Sequence, residues 1–499
     1  MRQSGILLPI FSLPSPGGIG TFGKEALDFI DFLRKAGQSV WQILPIGPTS
    51  YGDSPYQSFS AYALNPYFID PRRLAAQGWL APDELPAESD APPAPVDYAA
   101  LSVDRLPLLR RAAARFFTSP DSGFAAFCAR EADWLADYAL FMALKDAHGG
   151  AAFTDWEPPL RRREPQALKD ASAAYAADTA FYSLLQYWAF SQWDEVKRYA
   201  AASGVRILGD MPIYVSADSA DVWADPALFC LDADGRPTEV AGCPPDAFSD
   251  DGQLWGNPLY NWAAMEKDGY AWWQRRIRAA CTLFDTVRID HFRGFEAYYA
   301  IPAGETTAKN GRWRKGPGMR LFRAVREALG ALPIVAEDLG FLTPAVHRLL
   351  RQTGFPGMKV LQFAFDPDEE SAYLPHNCLP HSVIYTGTHD NDTILGWEKS
   401  ADPDTVAYAR AYLRAHEGEA FNWCMMKAAL ASPCETAILT MPDLLGLGSE
   451  GRINTPATLG GNWQWRFGGD CLNDWLAGIL RENTRLYCRL PKTTKDKTT

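Results

Sequence analysis

Eight short runs of apolar, often β-branched residues recur along the chain, each closed by glycine or by polar residues. They are Gly5–Pro9, Val40–Pro45, Val205–Asp210, Thr286–Asp290, Pro333–Glu337, Lys359–Phe363, Ser382–Thr386 and Thr436–Met441. Most gaps between them carry helical periodicity, as at Ala26–Ala36 and Met319–Leu329. Strands alternating with helices predict βαβ units and a parallel sheet. Eight such units predict an α/β fold, the (β/α)₈ barrel. A bare barrel needs about 250 residues, so a chain of 499 must carry insertions.

The largest insertion falls between the second and third runs. It opens on the aromatic, Gly- and Ser-rich stretch Pro48–Asp70 and passes a Pro- and Ala-rich link, Ala81–Val96. Helical patterns follow near Leu106–Phe117 and Phe124–Ala147, and Asp178–Ala201 leads back to the third run. This predicts a mainly helical insertion over 66–177. Smaller insertions are expected over 213–265 and over 294–318, the latter with a basic loop, Lys309–Lys315. A Gly- and Trp-rich segment, Leu444–Gly469, follows the eighth run. All lie on the C-terminal side of their strands, where barrel enzymes build their sites. The whole of 1–499 is therefore expected to form one barrel domain, with a disordered polar tail at 492–499.

Polar residues break the apolar pattern where the runs end. In Val287-Arg-Ile-Asp290, alternation puts Arg288 and Asp290 on one face and the aliphatic residues on the other. A neighbouring guanidinium holds a carboxylate ionised, which suits a nucleophile, although a structural ion pair capping the strand gives the same pattern. The fifth run ends in Glu337-Asp338, where an apolar setting favours a protonated carboxyl and hence a general acid at Glu337. Asp338 is the better candidate for a helix N-cap. The seventh run ends in His389-Asp390-Asn391-Asp392, and one of the two aspartates has a capping role open to it. Asp210 closes the third run, either facing inward or serving its turn.

The expected barrel mouth thus gathers Asp210, Asp290, Glu337 and Asp390 with Arg288, His291 and His389. Metal-assisted hydrolysis and carboxylate-pair catalysis at a glycosidic bond both use such a set. No His-x-His or His-Glu-x-x-His stretch occurs, so no metal or organic cofactor is expected. Aromatic residues in the loops favour sugar, whose flat faces stack on rings: Tyr51, Tyr56, Trp223, Trp255, Trp463 and Trp465. The chain holds 17 Trp and 20 Tyr.

Charge narrows the partners. With 48 Lys and Arg against 60 Asp and Glu, the net charge is −12. An acidic chain repels nucleic acid and anionic membrane, so neither is expected as a partner. The nine cysteines include no Cys-x-x-Cys pair. No apolar run approaches membrane-spanning length and Met1–Ile10 has no signal-peptide pattern, so a cytoplasmic location is expected.

Several motifs together resemble the 4-α-glucanotransferases, or amylomaltases, of the α-amylase clan. They are Gly52-Asp-Ser-Pro-Tyr56, Gly209-Asp-Met-Pro-Ile-Tyr-Val215, Trp255-Gly-Asn-Pro258, Arg288-Ile-Asp-His-Phe-Arg-Gly294, Ala336-Glu-Asp-Leu-Gly340, Gly387-Thr-His-Asp-Asn-Asp392 and Gly461-Asn-Trp-Gln-Trp-Arg466. The resemblance runs in order from Gly5 to Arg466. It implies a retaining double displacement on α-1,4-glucans, with maltooligosaccharides as donor and acceptor. Asp290 is then the nucleophile, Glu337 the acid and base, and Asp390 a third carboxylate that holds sugar hydroxyls. Arg288, His389, Tyr56, Asp210 and Asn462 are expected to grip the donor sugar, and Ser54 and Gln253 to join the binding set. Trp255 is expected beside the acceptor. The loop Ala241–Gln253 departs from the family pattern at Cys243 and at Ala247, where a tyrosine is expected. A glucan hydrolase of the same clan and a catalytically silent glycogen-binding protein are the competing readings.

Overall fold

The computed structural model describes residues 2–87, 93–245, 249–340 and 342–491; Ala247 and the tail 492–499 lie outside them. All eight apolar runs form strands: β1 (Gln3–Leu7), β2 (Val40–Gln42), β3 (Arg206–Met211), β4 (Thr286–Ile289), β5 (Ile334–Ala336), β6 (Gly357–Val360), β7 (Ser382–Tyr385) and β8 (Thr436–Thr440). They pair in parallel in the spatial order β6-β7-β8-β1-β2-β3-β4-β5. The circle closes between β5 and β6, where Ala336 N–H donates to Pro356 O at 2.9 Å and Met358 N–H donates to Asp338 Oδ1 at 2.6 Å. This is the (β/α)₈ barrel. Seven of the strands stop one to three residues short of their apolar runs, because the last residues of the run already turn toward the mouth; β3 runs one residue past its own.

Asp338 therefore does not cap a helix. It stitches β5 to β6, and the helix Pro344–Thr353 takes its cap from Thr343, whose hydroxyl accepts from Val346 N–H at 3.3 Å. Neither Asp390 nor Asp392 caps the helix Ile394–Ser400 either. Thr393 does, accepting from Gly396 N–H at 3.0 Å.

Between β2 and β3 the chain is mainly helical. Its principal helices are α1 (Tyr98–Phe116), α2 (Ser122–Arg130), α3 (Leu135–Ala147) and α4 (Ala176–Ala202). The helical pattern at 124–147 is broken by the turn at 131–134, so it yields two helices rather than one. Helix α4 is apolar on several sides and buries Phe181, Leu184, Leu185, Trp188 and Trp193. Two buried glutamines on it hold the loop that leaves the barrel. Gln186 Oε1 accepts from Leu64 N–H at 2.7 Å, and Gln192 Oε1 accepts from Asp70 N–H at 2.7 Å. A buried backbone group in a loop needs such a partner.

The two smaller insertions are not separate loops. They join in one antiparallel sheet ordered Gln253–Pro258, Glu239–Cys243, Ala297–Pro302 and Arg312–Lys315. Its central pairing sets Ala241 opposite Ala300. The basic stretch at 312–315 is thus an edge strand, and Arg314 pairs with Glu239 at 2.6 Å across the sheet. Charged side chains suit an edge strand, which must discourage further pairing.

Candidate active site

The ends of β3, β4, β5 and β7 meet at the barrel mouth. Register places Asp210 beside Arg288 on adjacent strands. The Arg288 guanidinium is buried and bonds both Asp210 oxygens, at 2.8 and 2.7 Å. Its other arm reaches Asp290 Oδ1 at 3.1 Å. The Asp210 side chain is fully covered, so it orients Arg288 rather than offering itself to a sugar. Only Asp290 of this trio keeps an open face, with its side chain 30% exposed.

Burial pushes the Asp290 carboxyl up to about 8, against the pull of Arg288, and the charges of Asp210, Glu337 and Asp390 push the same way. Burial also raises Glu337, again opposed by Arg288. Two crowded carboxyls of this kind titrate as a pair. A pair that keeps one proton supplies both the ionised carboxylate of a nucleophile and the proton of an acid.

Glu337 is fixed by backbone groups. Its Oε2 accepts from His291 N–H at 2.7 Å, and Oε1 accepts from Leu339 N–H at 2.7 Å. His291 reaches this position only because its backbone is left-handed, with φ 50°. Such a conformation is strained for a non-glycine residue and recurs at functional sites. Burial, helped by Arg293, lowers the His291 imidazole to about 3, so it is neutral. The ring of Trp255 stands edge-on to it at 4.8 Å. Trp255 is itself held by Gln253, whose Oε1 accepts from the indole N–H at 3.0 Å.

The opposite wall is aromatic. Tyr56 donates its hydroxyl to Asp210 Oδ2 at 2.8 Å, and its ring stacks on His389 at 5.1 Å. Trp463 leans on both rings, at 5.8 Å from Tyr56 and 5.9 Å from His389. Ser54 Oγ accepts from Tyr56 N–H at 3.2 Å and so fixes the turn that carries the ring. Burial lowers the His389 pKa. Its Nε2 lies 3.4 Å from Asp390 Oδ1, and Asn454 donates to the same oxygen at 2.6 Å. Asp390 is otherwise open, with its side chain 47% exposed. Asp392 is occupied by Ser449, which donates to it at 2.7 Å.

The structure thus brings together Tyr56, Asp210, Arg288, Asp290, Glu337, His389 and Asp390, with Trp255 at the rim. Asn462 directly precedes Trp463, and its side chain bonds within its own loop: the amide accepts from Thr455 N–H at 2.9 Å and donates to Thr458 O at 3.1 Å. Trp223 is not a loop platform: it is buried, and its indole N–H donates to Leu160 O at 3.0 Å. Sequence reasoning missed Asn454 as the support of Asp390. Its only signal is a position in the segment after the eighth strand, beside Trp463. Among the described residues no three His, Cys, Asp or Glu side chains converge as a metal-binding group.

The family model for 4-α-glucanotransferase matches residues 8–471. The 4-α-glucanotransferase of Thermus thermophilus is 51% identical over 476 residues, covering 93% of this chain and 94% of the relative. That of a Synechocystis strain is 49% identical over 498 residues, 98% of each chain. The solved amylomaltase of Streptococcus agalactiae, in complex with acarbose, superposes with a TM-score of 0.95 at 42% identity, covering 98% of this chain and 100% of that one. By family model, by relatives and by fold, the chain belongs to the 4-α-glucanotransferases.

Proposed function

We propose that this enzyme moves segments of α-1,4-glucan from a donor maltooligosaccharide to the 4-hydroxyl of an acceptor sugar by a retaining double displacement. The observation that carries the residue roles is the pairing of a half-open Asp290 with a buried Arg288, beside a buried Glu337 held by the His291 and Leu339 N–H groups. Asp290 attacks the anomeric carbon while Glu337 protonates the departing oxygen. Glu337, now ionised, then takes the proton of the incoming 4-hydroxyl as the sugar leaves Asp290. Asp390 accepts hydrogen bonds from donor-sugar hydroxyls, with Asn454 and His389 holding it in place. The Tyr56 ring offers an apolar face to the donor sugar, and Asp210 and Arg288 keep that wall and the nucleophile in register. Trp255 lines the acceptor side with Gln253 behind it. Ser54 and Asn462 join the binding set from the loops that they brace.

Partners are therefore α-1,4-glucans in both roles. We place the enzyme in the cytoplasm; its nine cysteines, with no Cys-x-x-Cys pair among them, suit a reducing compartment. No helix among the described residues is long and apolar enough to cross a membrane.

Incubation with maltotriose tests the reaction. Transfer releases glucose and builds longer maltooligosaccharides while the number of reducing ends stays constant. A hydrolase raises reducing ends as fast as glucose, and that outcome overturns the proposal.

A further inference from the structure

A second cavity, of about 310 Å³, lies away from the carboxylates of the barrel mouth, on the seam between the helical insertion and the barrel. Its walls are the turn between α2 and α3, the loop at 60–62, the short helix Ala220–Ala224 and the barrel helix α5 (Ala271–Leu283). Its size is that of the smaller ligand pockets.

The lining is aromatic and polar at once. Tyr62 and Trp134 stack at 6.1 Å, and Trp272 meets Tyr62 edge-on at 6.4 Å. The Tyr62 hydroxyl is buried, with the Arg275 guanidinium as its polar neighbour. Asp221, Arg275 and Arg276 are the charges that act on it. Asp221 is buried too, with one oxygen taking Ala61 N–H at 2.8 Å. Arg275 lies between that hydroxyl and Asp225, 3.9 Å from the latter. Buried polar groups without full partners cost free energy, and a bound ligand that supplies them recovers it.

The chemistry selects the ligand. Carboxylates outnumber guanidiniums on the wall by five to three, which disfavours an anion. Both signs are present, and both can be served by neutral hydroxyls, which donate to carboxylates and accept from guanidiniums. Flat rings beside them match the apolar face of a pyranose. We infer that this cavity is a non-catalytic carbohydrate site that holds a segment of α-glucan away from the scissile bond. It shares Ser60 and Tyr62 with a smaller cavity that reaches Tyr56 and Asp210, so the two sites stand on one loop. A long glucan anchored there is presented to the active site at a raised effective concentration.

The inference goes beyond the transfer reaction, and its first test needs no turnover. Maltoheptaose is titrated calorimetrically into the Asp290→Asn protein, alone and combined with Ala279→Trp, which fills the cavity. Two classes of site are expected in the first protein and one in the second. Arg275→Ala, which leaves the cavity open, should weaken the second class by about tenfold or more, the loss of one charge-assisted hydrogen bond. In the otherwise unmutated enzyme, Ala279→Trp should raise KM for long amylose relative to KM for maltotriose. A single class of site in Asp290→Asn, or two classes that survive both cavity variants, overturns the inference. Either result leaves the transfer reading standing, since that reading depends on product analysis with maltotriose.

Discussion

Asp290 faces two opposed demands: burial favours its neutral form, and Arg288 favours its charge. Glu337, buried in the same site and under the pull of the same guanidinium, titrates together with Asp290. The pH dependence follows. Below the pair's first pKa both groups are protonated and the nucleophile is lost. Above about 8 both are ionised and the acid is lost. A bell-shaped kcat/KM is expected, and a profile that stays flat through pH 9 contradicts the joint titration. Asp290→Asn should reduce transfer almost to nothing with the fold retained, as circular dichroism would show; turnover near the parent rate, with deamidation excluded, removes Asp290 from the nucleophile's role. Glu337→Gln should slow transfer from a natural glucan by about 10²–10⁴-fold, yet spare the first step with a donor whose leaving group needs no proton. Equal losses on both donors count against Glu337 as the acid. These residues were legible in the sequence because each sits in a polar break at the end of an apolar run. The choice between Asp390 and Asp392 was not legible, since both precede a helix. Only the structure shows Asp392 occupied by Ser449 and Asp390 left open.

Elements with an apolar signature were easy to read, and those without one were not. All eight barrel strands announce themselves because a parallel strand is covered on both faces. In the antiparallel sheet beside the mouth, the edge strand Arg312-Trp-Arg-Lys315 escaped notice because it carries charge, and the apolar Ala297–Pro302 escaped because it falls outside the helix-separated rhythm of the barrel runs. Asp338 shows how a local reading misassigns a residue whose partner is distant. Beside Glu337 it resembles a cap, yet its partner is Met358, 20 residues on. Burial pushes its carboxyl up to about 7, with Lys359 and the Met358 N–H pulling it down. A folded-state pKa above the unfolded one favours the folded state at low pH, and that advantage is lost as pH rises toward the folded value. The loss falls between about pH 4 and 7. Asp338→Asn can still accept the Met358 N–H but cannot ionise. Its melting temperature should fall less than the parent's between pH 5 and pH 8. An identical fall in both proteins means that Asp338 is not a source of the pH dependence.

At the scale of the whole molecule the barrel must be closed at both ends, and the end away from the chemistry is closed by one residue from far along the chain. Arg489 is fully buried where β1 and β8 begin. Its guanidinium donates to Leu430 O at 2.7 Å, Gln3 O at 2.8 Å, and Ser432 O and Cys434 O at 3.0 Å each. Burial and the nearby Arg2 lower its pKa to about 10, so it stays charged at neutral pH. Carbonyl dipoles stand in for a carboxylate here, and the five donors of a planar guanidinium suit several acceptors at once. Nothing in the sequence signals this, because an arginine near a polar tail reads as surface. Arg489→Met keeps much of the volume and removes the guanidinium's donors from Gln3 O and Cys434 O, while Leu430 O and Ser432 O keep their bonds from Arg2. Each buried group left unsatisfied costs about 1–3 kcal/mol, so the variant should melt well below the parent. Arg489→Lys should recover only part of the loss, since an ammonium has three donors on a point. Well below the melting point both variants should retain kcat on maltotriose, because the substitution lies at the end of the barrel opposite Asp290. A melting temperature unchanged in Arg489→Met would mean that water satisfies those carbonyls as well as Arg489 does, and the clamp would have no role in stability.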